Sequence, residues 1–490
     1  MSKKLIPLFT RKDDTAIGDT VSFEAIISSK TGDKLSDPEK IVAWETIDNF
    51  KPKIGVPVKA AHVLQEMEFR ILNIGTFSVS AEATVENWTN AFNTDVKREY
   101  LDFSETHPEL GAIPFFSEVE GKPAEIPAKL ENLIDDVYPQ KPPMFFESPL
   151  PPLPKLKNYL DVPGDISMIL RSDQVCREGI TGKGVLVAMP DTGFFKHAFY
   201  KWRGYRYNQT IAPDAANIEH DEVGHGTAEA ANIFSNAPNI EFIGIKMGLN
   251  ATLGFKMAVD LSPAIITCSW GWSIKEKILP SWLKPLEAEV IRAVKDLGIT
   301  VVFSAGNGHY GFPGQMPEVI SVGGVYAHRS FGTDDFDLEA SNYASSFESK
   351  IYPGRKVPDI CGLVGMSPGA IYINLPLEPG CAIDKSVATA DTTAPDDGWA
   401  VISGTSAAAP QIAGICALLK QAQPSLSPIL IKRILGASAR DVTKGVSAMG
   451  HKAGAGFDSA TGPGLVDAYK AYQIARSINI KPLDTLPPPR

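Results

Sequence analysis

The sequence predicts a mainly parallel α/β domain with helices on both faces of its sheet, preceded by a smaller α+β domain. Three observations lead to this prediction. The chain has 490 residues, which is more than one ordinary hydrophobic core accommodates. A proline-dense stretch at 139–163 cannot sustain a helix or a central strand, and it divides the chain into two unequal parts. The longer part alternates short apolar runs with helical patterns, as parallel sheets do.

The shorter part has the element order β-α-β-β-α-β, which is that of a ferredoxin-like sandwich. Its expected elements are a strand at Val21, a helix marked by Val58, Ala61, Leu64 and Met67, two strands at 71–74 and 77–81, a helix marked by Val85, Trp88 and Phe92, and a fourth strand near Val96. The polar stretch 30–53 does not fit this order, and we interpret it as an insertion.

The longer part supplies the parallel sheet. Its expected buried strands are 185–189, 242–245, 265–268, 300–303 and 319–322, and its expected helices are 281–297, 407–421 and 426–438. We therefore expect a first domain at 1–138, a linker at 139–165, a second domain at 166–480 and a tail at 481–490. Sites in such sheets lie at the carboxyl ends of the strands.

Composition excludes several classes of function. Lys and Arg total 47 against 57 Asp and Glu, a formal net charge of −10, so we expect no nucleic-acid partner.

No apolar run has the length of a membrane helix, and the N-terminus lacks the apolar stretch of a signal peptide. The five cysteines show no CxxC spacing and are expected to be free thiols. We expect a cytoplasmic protein, with secretion by a non-standard route as the alternative.

Four short motifs stand where strands end or helices begin: Asp191-Thr-Gly, His225-Gly-Thr, Ser304-Ala-Gly-Asn307 and Gly404-Thr-Ser406-Ala-Ala-Ala-Pro. A serine hydroxyl needs a base to become a nucleophile, and histidine has a suitable pKa. The imidazole needs a carboxylate to fix its tautomer, and a developing oxyanion needs hydrogen-bond donors. These residue types therefore favour acyl transfer by Asp191, His225 and Ser406, with donors from the Asn307 amide and the Ser406 backbone.

In this order the four motifs resemble the signature of the subtilisin (subtilase) family. The resemblance covers roughly residues 165–475 and extends to the segments beginning at Ser269-Trp-Gly, Pro317-Glu-Val, Val357-Pro-Asp and Gly462-Pro-Gly. It implies a subtilisin-like fold and a serine endopeptidase in which Asp191 orients, His225 is general base and acid, Ser406 attacks and Asn307 stabilises the oxyanion.

The same resemblance implies protein or peptide substrates. An extended substrate backbone would pair with the strand at Ser269, Trp270 and Gly271, which is β-strand addition, and would also contact Ala305 and Gly306. For the two tryptophans near this strand, Trp270 and Trp272, a pocket wall and simple core packing are equally good interpretations.

Two departures from the family pattern matter. Pro190 stands where the family carries an aliphatic residue. The segment after His225 is too short for the loop that binds calcium in many subtilisins. We therefore predict no metal site and no cofactor, and calcium binding is not supported by the sequence. The aspartate-rich stretch 384–397 is interpreted as a solvated loop.

The first part resembles the prodomains of subtilases and, through the segments beginning at Phe77, Trp88 and Ile126, those of the sedolisin (kumamolisin) peptidases. The resemblance implies that this domain inhibits the second one within the same chain until the linker is cut. Two alternatives remain open: a transpeptidase or peptide macrocyclase on the same fold, and a pseudoprotease that only binds peptides. An α/β-hydrolase is disfavoured because there is no Gly-x-Ser-x-Gly elbow.

Overall fold

The computed structural model describes residues 20–102, 112–145, 159–328, 337–368, 372–391 and 393–478. The first part of the chain forms an antiparallel sheet with two helices. Its elements are β1 (Thr20–Ile27), α1 (Val56–Glu66), β2 (Arg70–Ile74), β3 (Ser78–Thr84), α2 (Val85–Phe92), β4 (Val96–Asp102), β5 (Ala112–Glu118) and β6 (Ile134–Pro139), with a 3₁₀ turn at Ile47–Asn49.

The sheet order β2-β3-β1-β6 is that of a ferredoxin-like domain, because β6 takes the place of the fourth strand. The prediction that the strand near Val96 is the fourth strand of this sheet is wrong: it forms β4, which among the described strands pairs only with β5, in a separate hairpin. Apolar alternation marks both strands equally, so only the tertiary pairing shows which of them joins the sheet. The core of this domain lies between the sheet and α1 and α2, where the Phe23 ring meets the rings of Trp88 and Phe92 edge to face.

Between the two parts lie β7 (Met144–Phe145) and β8 (Leu160–Asp161). The helices that follow are α3 (Gly164–Ile169), α4 (Ser172–Arg177), α5 (Ala198–Trp202), α6 (His225–Asn236), α7 (Ala251–Asp260), α8 (Lys284–Lys295), α9 (Ala382–Asp391), α10 (Thr405–Ala422), α11 (Pro428–Ser438) and α12 (Ala468–Ser477), with a 3₁₀ turn at Ser281–Leu283. Among the helices in the described ranges, none has both the length and the apolar composition that crossing a membrane requires.

The strands of the second part are β9 (Leu186–Asp191), β10 (Arg206–Ile211), β11 (Glu241–Lys246), β12 (Ile265–Cys268), β13 (Trp270–Ser273), β14 (Thr300–Ser304), β15 (Gly311–Phe312), β16 (Ile320–His328), β17 (Asp337–Ala340), β18 (Phe347–Glu348), β19 (Lys356–Val357), β20 (Ile360–Leu363), β21 (Ile373–Pro376) and β22 (Trp399–Ile402).

The main sheet has the order β10-β11-β9-β12-β14-β16-β17, with β20 also paired to β16. Every pairing in it is parallel except that of β17, as predicted. Helices α6 and α10 pack together on one face, and α7 and α8 pack together on the other. The chain passes from β9 to β11 on one side and then returns to β12 on the other side of β9. This reversal creates the crevice at the carboxyl end of β9 in which sites of such sheets form.

Pro190 fits inside this sheet because of the way parallel strands direct their amides. Asp191 faces β11, since its carbonyl accepts a hydrogen bond from the Met247 amide. Pro190 therefore faces the β12 side, where the pairing of β12 with β9 ends at Ala188. The missing N–H of proline consequently removes no hydrogen bond from the ladder.

The first domain docks on α7 through a buried ion pair. Glu24 of β1 and Lys256 of α7 lie 2.8 Å apart, with side chains 0% and 2% exposed. The Lys256 ammonium also donates to the Ser78 carbonyl and the Ser80 hydroxyl, and Asn250 donates to the Glu24 carboxylate. Both charges thus have their hydrogen-bonding capacity satisfied, as burial requires.

The chain that leaves the first domain runs along the second. The backbone of β7 pairs antiparallel with β13, joining Phe145 to Trp270 and Met144 to Gly271. The Trp272 indole N–H donates to the Pro142 carbonyl at 3.1 Å. The edge of β13 that would otherwise be unpaired is therefore covered by the protein's own backbone.

The aspartate-rich stretch contains a helix, α9, rather than only the predicted loop. Asp384 accepts backbone hydrogen bonds from Gly380 and Gly398, and Asp391 accepts one from Val401. Asp397 likewise accepts bonds from the backbone of its own loop. In the described parts of the chain, no group of three or more His, Cys, Asp or Glu side chains is placed to share an ion.

We expect the Lys256→Met variant to lose about 3–5 kcal/mol of the free energy that holds the first domain folded and docked, because Glu24 is left buried without a counter-ion. A urea titration of the full chain measures this loss. The control is Lys97→Met, which removes a cation paired with Glu99 at the surface. The control should leave the midpoint unchanged. Equal midpoints for the wild type and both variants would contradict the prediction.

Chelation is expected to leave thermal stability unchanged. Asp384, Asp391 and Asp397 each accept hydrogen bonds from backbone N–H groups, and the described residues contain no cluster of metal ligands. Differential scanning calorimetry with and without EDTA tests this. A Tm that falls in EDTA and recovers on adding calcium would show that a metal ion belongs in the structure.

Candidate active site

The four predicted motifs lie at the carboxyl edge of the main sheet, where hydrogen bonds join them in two pairs: Asp191 with His225, and Asn307 with Thr405 of the serine motif. Asp191 is the last residue of β9, and His225 is the first residue of α6. Ser406 lies in the first turn of α10, and Asn307 follows β14. These positions are far apart in the chain, and the parallel sheet brings them together because the carboxyl ends of its strands share one edge.

Asp191 and His225 form a buried hydrogen-bonded pair. The Asp191 Oδ1 to His225 Nδ1 distance is 2.6 Å, and both side chains are fully buried. The same carboxylate oxygen accepts the Thr192 backbone N–H at 2.8 Å. A carboxylate can only accept here, so the neutral imidazole carries its proton on Nδ1 and its lone pair on Nε2. The hydrogen bond thus gives the His225 imidazole a defined tautomer.

Ser406 contacts the predicted substrate strand. Its hydroxyl donates to the Ser269 carbonyl at 3.1 Å, and the Ser269 hydroxyl donates to the Ser406 carbonyl at 2.8 Å. This reciprocal pair ties the start of α10 to the residue that precedes β13. Because Ser406 lies in the first turn of α10, the positive end of the helix dipole stands beside its hydroxyl.

The amide of Asn307 has a fixed orientation. Its Oδ1 accepts hydrogen bonds from the backbone N–H and the hydroxyl of Thr405, both at 3.0 Å. The Thr405 hydroxyl in turn accepts the Gly306 backbone N–H at 3.1 Å. With Oδ1 directed to Thr405, the Nδ2 donors point away from it. Thr405 was not predicted as a site residue, although it is the threonine of the Gly-Thr-Ser motif.

The remaining predicted substrate residues differ in what they offer. Gly306 has φ of +110°, a conformation that favours glycine, so its backbone can approach a ligand closely. Ala305 packs its side chain against Phe347 and Val357. Trp270 is fully buried, and its indole donates to the Pro190 carbonyl at 2.8 Å. Its side chain is therefore part of the core beneath the site.

His197, which follows the aspartate motif, lies outside this arrangement. Its Nδ1 accepts the Phe199 backbone N–H and so caps α5. Burial lowers the pKa of its imidazole, and its ring stands edge to face with Trp399. These contacts give it a structural part.

The fold of the whole chain resembles that of a solved relative. Fervidolysin from Fervidobacterium pennivorans, described as a keratinolytic enzyme related to subtilisin, superposes with a TM-score of 0.51. The alignment covers 95% of this chain and 63% of that structure at 16% sequence identity. At this identity the likeness concerns the fold alone.

Sequence comparison adds curated relatives. The chain is 29% identical over 318 residues to the serine protease AprX of Bacillus subtilis (strain 168), covering 57% of this chain and 66% of the relative. It is 27% identical over 281 residues to the alkaline elastase YaB of Bacillus sp. (strain YaB), covering 54% of this chain and 61% of that protein. The chain thus spans slightly less than two thirds of the length of these relatives.

The family assignment rests on the part of the chain that carries the site. The model of the subtilase family, Peptidase_S8, matches residues 182–462. This range includes all four motifs, from the aspartate at the end of β9 to the serine at the start of α10. It is more than half of the sequence, and the parallel sheet described above is the fold that the resemblance implied. The chain belongs to the subtilase family.

Proposed function

We propose that this chain is a serine endopeptidase that hydrolyses peptide bonds through an acyl-enzyme at Ser406, and that its first domain keeps it inactive. The observation that carries the proposal is the buried Asp191–His225 hydrogen bond at the sheet edge where α10 begins with Ser406 in its first turn. A base, its orienting carboxylate and a hydroxyl at a helix N-terminus are the parts that acyl transfer needs.

In the proposed mechanism His225 accepts the hydroxyl proton of Ser406 on Nε2 while Oγ attacks the scissile carbonyl carbon. Asp191 holds Nδ1 and stabilises the imidazolium that forms. The imidazolium then donates its proton to the leaving amine as the carbon–nitrogen bond breaks. Water, deprotonated by the same imidazole, attacks the ester carbonyl and releases Ser406. No cofactor enters these steps.

The oxyanion formed at each attack needs donors that are already in place. We assign this part to the Asn307 Nδ2 group and the Ser406 backbone N–H. The two bonds from Thr405 to Asn307 Oδ1 support the assignment, because they hold the amide in one orientation before substrate arrives. Donors that need no reorganisation contribute most to rate.

We further propose that substrates are extended peptides that pair with β13. The antiparallel pairing of β7 with Trp270 and Gly271 supports this, since an extended backbone of the chain's own linker lies along this edge. It also supports autoinhibition, because β7 occupies the edge that a substrate would need. Asp191, His225 and Ser406 are fully buried with the first domain in place.

The proposed inhibitor is the domain at 1–138, joined by the linker at 139–165 to the peptidase domain at 166–480 and the tail at 481–490. The Glu24–Lys256 ion pair and the Trp272–Pro142 hydrogen bond support a specific docked position. A cut in the linker turns this intramolecular contact into a bimolecular one. Inhibition then depends on protein concentration.

Replacing the nucleophile tests the first half of the proposal. We expect Ser406→Ala to abolish turnover of a peptide substrate, because the neighbouring hydroxyl in the first turn of α10, that of Thr405, is bonded to Asn307 and Gly306. Mass spectrometry of the products from the linker-cut protein gives the readout. Linear fragments from the wild type and none from the variant agree with hydrolysis. Substantial proteolysis by the variant would refute the assignment of Ser406, and cyclic products would indicate a macrocyclase.

Replacing the oxyanion donor should affect rate rather than binding. We expect Asn307→Ala to lower kcat by about 10²–10³-fold with a small change in KM. The magnitude is that of subtilisin itself, where loss of the asparagine donor has this effect. Steady-state kinetics decide the matter. A large rise in KM at unchanged kcat would instead make Asn307 a ground-state contact.

Labelling with a serine-reactive phosphonate tests autoinhibition. A recognition site for an unrelated protease is placed between residues 146 and 158, and intact and cut chains are labelled at a series of dilutions. We expect slow, dilution-independent labelling of the intact chain and labelling of the cut chain that accelerates on dilution. Ser406→Ala is the control for labelling at other sites. Equal rates for intact and diluted cut protein would contradict inhibition by the first domain.

A further inference from the structure

A buried carboxylate, Asp221, lies between the aspartate motif and the histidine motif. It is 0% exposed. Its Oδ1 accepts hydrogen bonds from the Thr192 hydroxyl at 2.8 Å and the Gly224 backbone N–H at 3.0 Å. Its Oδ2 accepts the backbone N–H and the hydroxyl of Thr227 at 2.8 and 2.6 Å. Four donors thus converge on one carboxylate, and two of them are the hydroxyls of the motif threonines.

The two threonines continue this network to the reacting groups. The Thr192 hydroxyl accepts the Gly226 backbone N–H at 3.1 Å, next to His225. The Thr192 backbone N–H donates to the Asp191 oxygen that also meets His225. Asp221 therefore joins the two segments whose side chains form the Asp191–His225 hydrogen bond.

The chemistry of the carboxylate suits this position. Burial raises the pKa of Asp221 to about 6, while the bonds from Thr227, Thr192 and Gly224 oppose the rise. Two donors on each oxygen favour the ionised carboxylate, which accepts on both oxygens. An amide in its place accepts on one oxygen only, so half of the donors would lose their partner.

The backbone around Asp221 is held independently of its side chain. Glu378, just before α9, accepts the Asp221 backbone N–H at 2.5 Å and contacts His220 Nδ1 at 2.6 Å. The Lys246 ammonium donates to the carbonyls of Asn217 and His220 and to the Glu222 carboxylate. Because these contacts fix the loop from outside, a change confined to the Asp221 carboxylate acts mainly on the two motifs.

We propose that Asp221 is a positioning residue: its carboxylate, bonded to the hydroxyls of Thr192 and Thr227, sets the distance and angle between Asp191 and His225. This inference rests on the proposed function. The carboxylate acts through the threonines and does not contact the substrate. Rate falls steeply when reacting groups are misplaced, so the side chain contributes to kcat rather than to binding.

The test compares Asp221→Asn with two threonine variants in linker-cut protein. We expect Asp221→Asn to lower kcat by about 10- to 100-fold with KM changed by less than about twofold. Thr192→Val, which removes one hydroxyl, should change kcat in the same direction, and Thr192→Ser should restore it. The low-field proton resonance of the His225 Nδ1–H, recorded by NMR, should shift in Asp221→Asn and Thr192→Val.

The matched control is Asp214→Asn. Asp214 is also a buried carboxylate whose pKa burial raises to about 6, but it accepts the Asn250 backbone N–H and lies beside the first domain. This variant should keep the wild-type kcat and resonance.

A folded Asp221→Asn protein with wild-type kcat and resonance overturns the inference. If that variant does not fold, wild-type values in Thr192→Val overturn it. If the wild type itself shows no turnover, the proposed function fails, and the resonance, which requires no turnover, still decides whether Asp221 positions His225.

Discussion

The hydrogen bond between Asp191 and His225 depends on the parallel sheet. The two residues are brought together because β9 ends with Asp191 close to the point where α6 begins with His225. This point lies in the crevice at the carboxyl end of β9. Ser406 and Asn307 reach the same edge from α10 and β14. Each of these side chains is short, so the site tolerates little error in the backbone that carries it.

Burial of charge follows from this arrangement. A site between helices packed on a sheet is removed from water, and every ionised group near it needs partners inside the protein. Asp191 has His225 and a backbone amide, Asp221 has four donors, and Lys246 has three oxygen acceptors. The charged groups around the site therefore hold backbone segments together, in addition to any role that they have in catalysis.

The edge of β13 also has two roles, one in binding an extended chain and one in holding the first domain and its linker in place. An unpaired strand edge offers its backbone N–H and C=O groups to any extended chain. A peptidase needs such an edge to bind its substrate, but a protein without a bound chain must cover the edge against unwanted pairing. Here β7 covers it, and the ion pair between Glu24 and Lys256 fixes the domain from which β7 extends. Under the proposed function, the backbone groups that would recognise a substrate are the ones that hold the chain's own linker.

The sequence by itself determined the residue types of the site and the class of fold. Asp191, His225, Asn307 and Ser406 stand in short motifs after apolar runs, and both the period of those runs and the composition of the motifs are local properties. The tertiary structure alone decided what depends on pairing between distant segments. It distinguished β6 from β4 as the fourth strand of the first sheet, placed Pro190 on the side of β9 where no ladder bond is lost, and seated β7 on β13. It also brought the Asp221 carboxylate within hydrogen-bonding distance of the hydroxyls of Thr192 and Thr227. No sequence pattern predicts the role of Asp221, because that role depends on hydrogen-bond donors that only folding brings to its carboxylate.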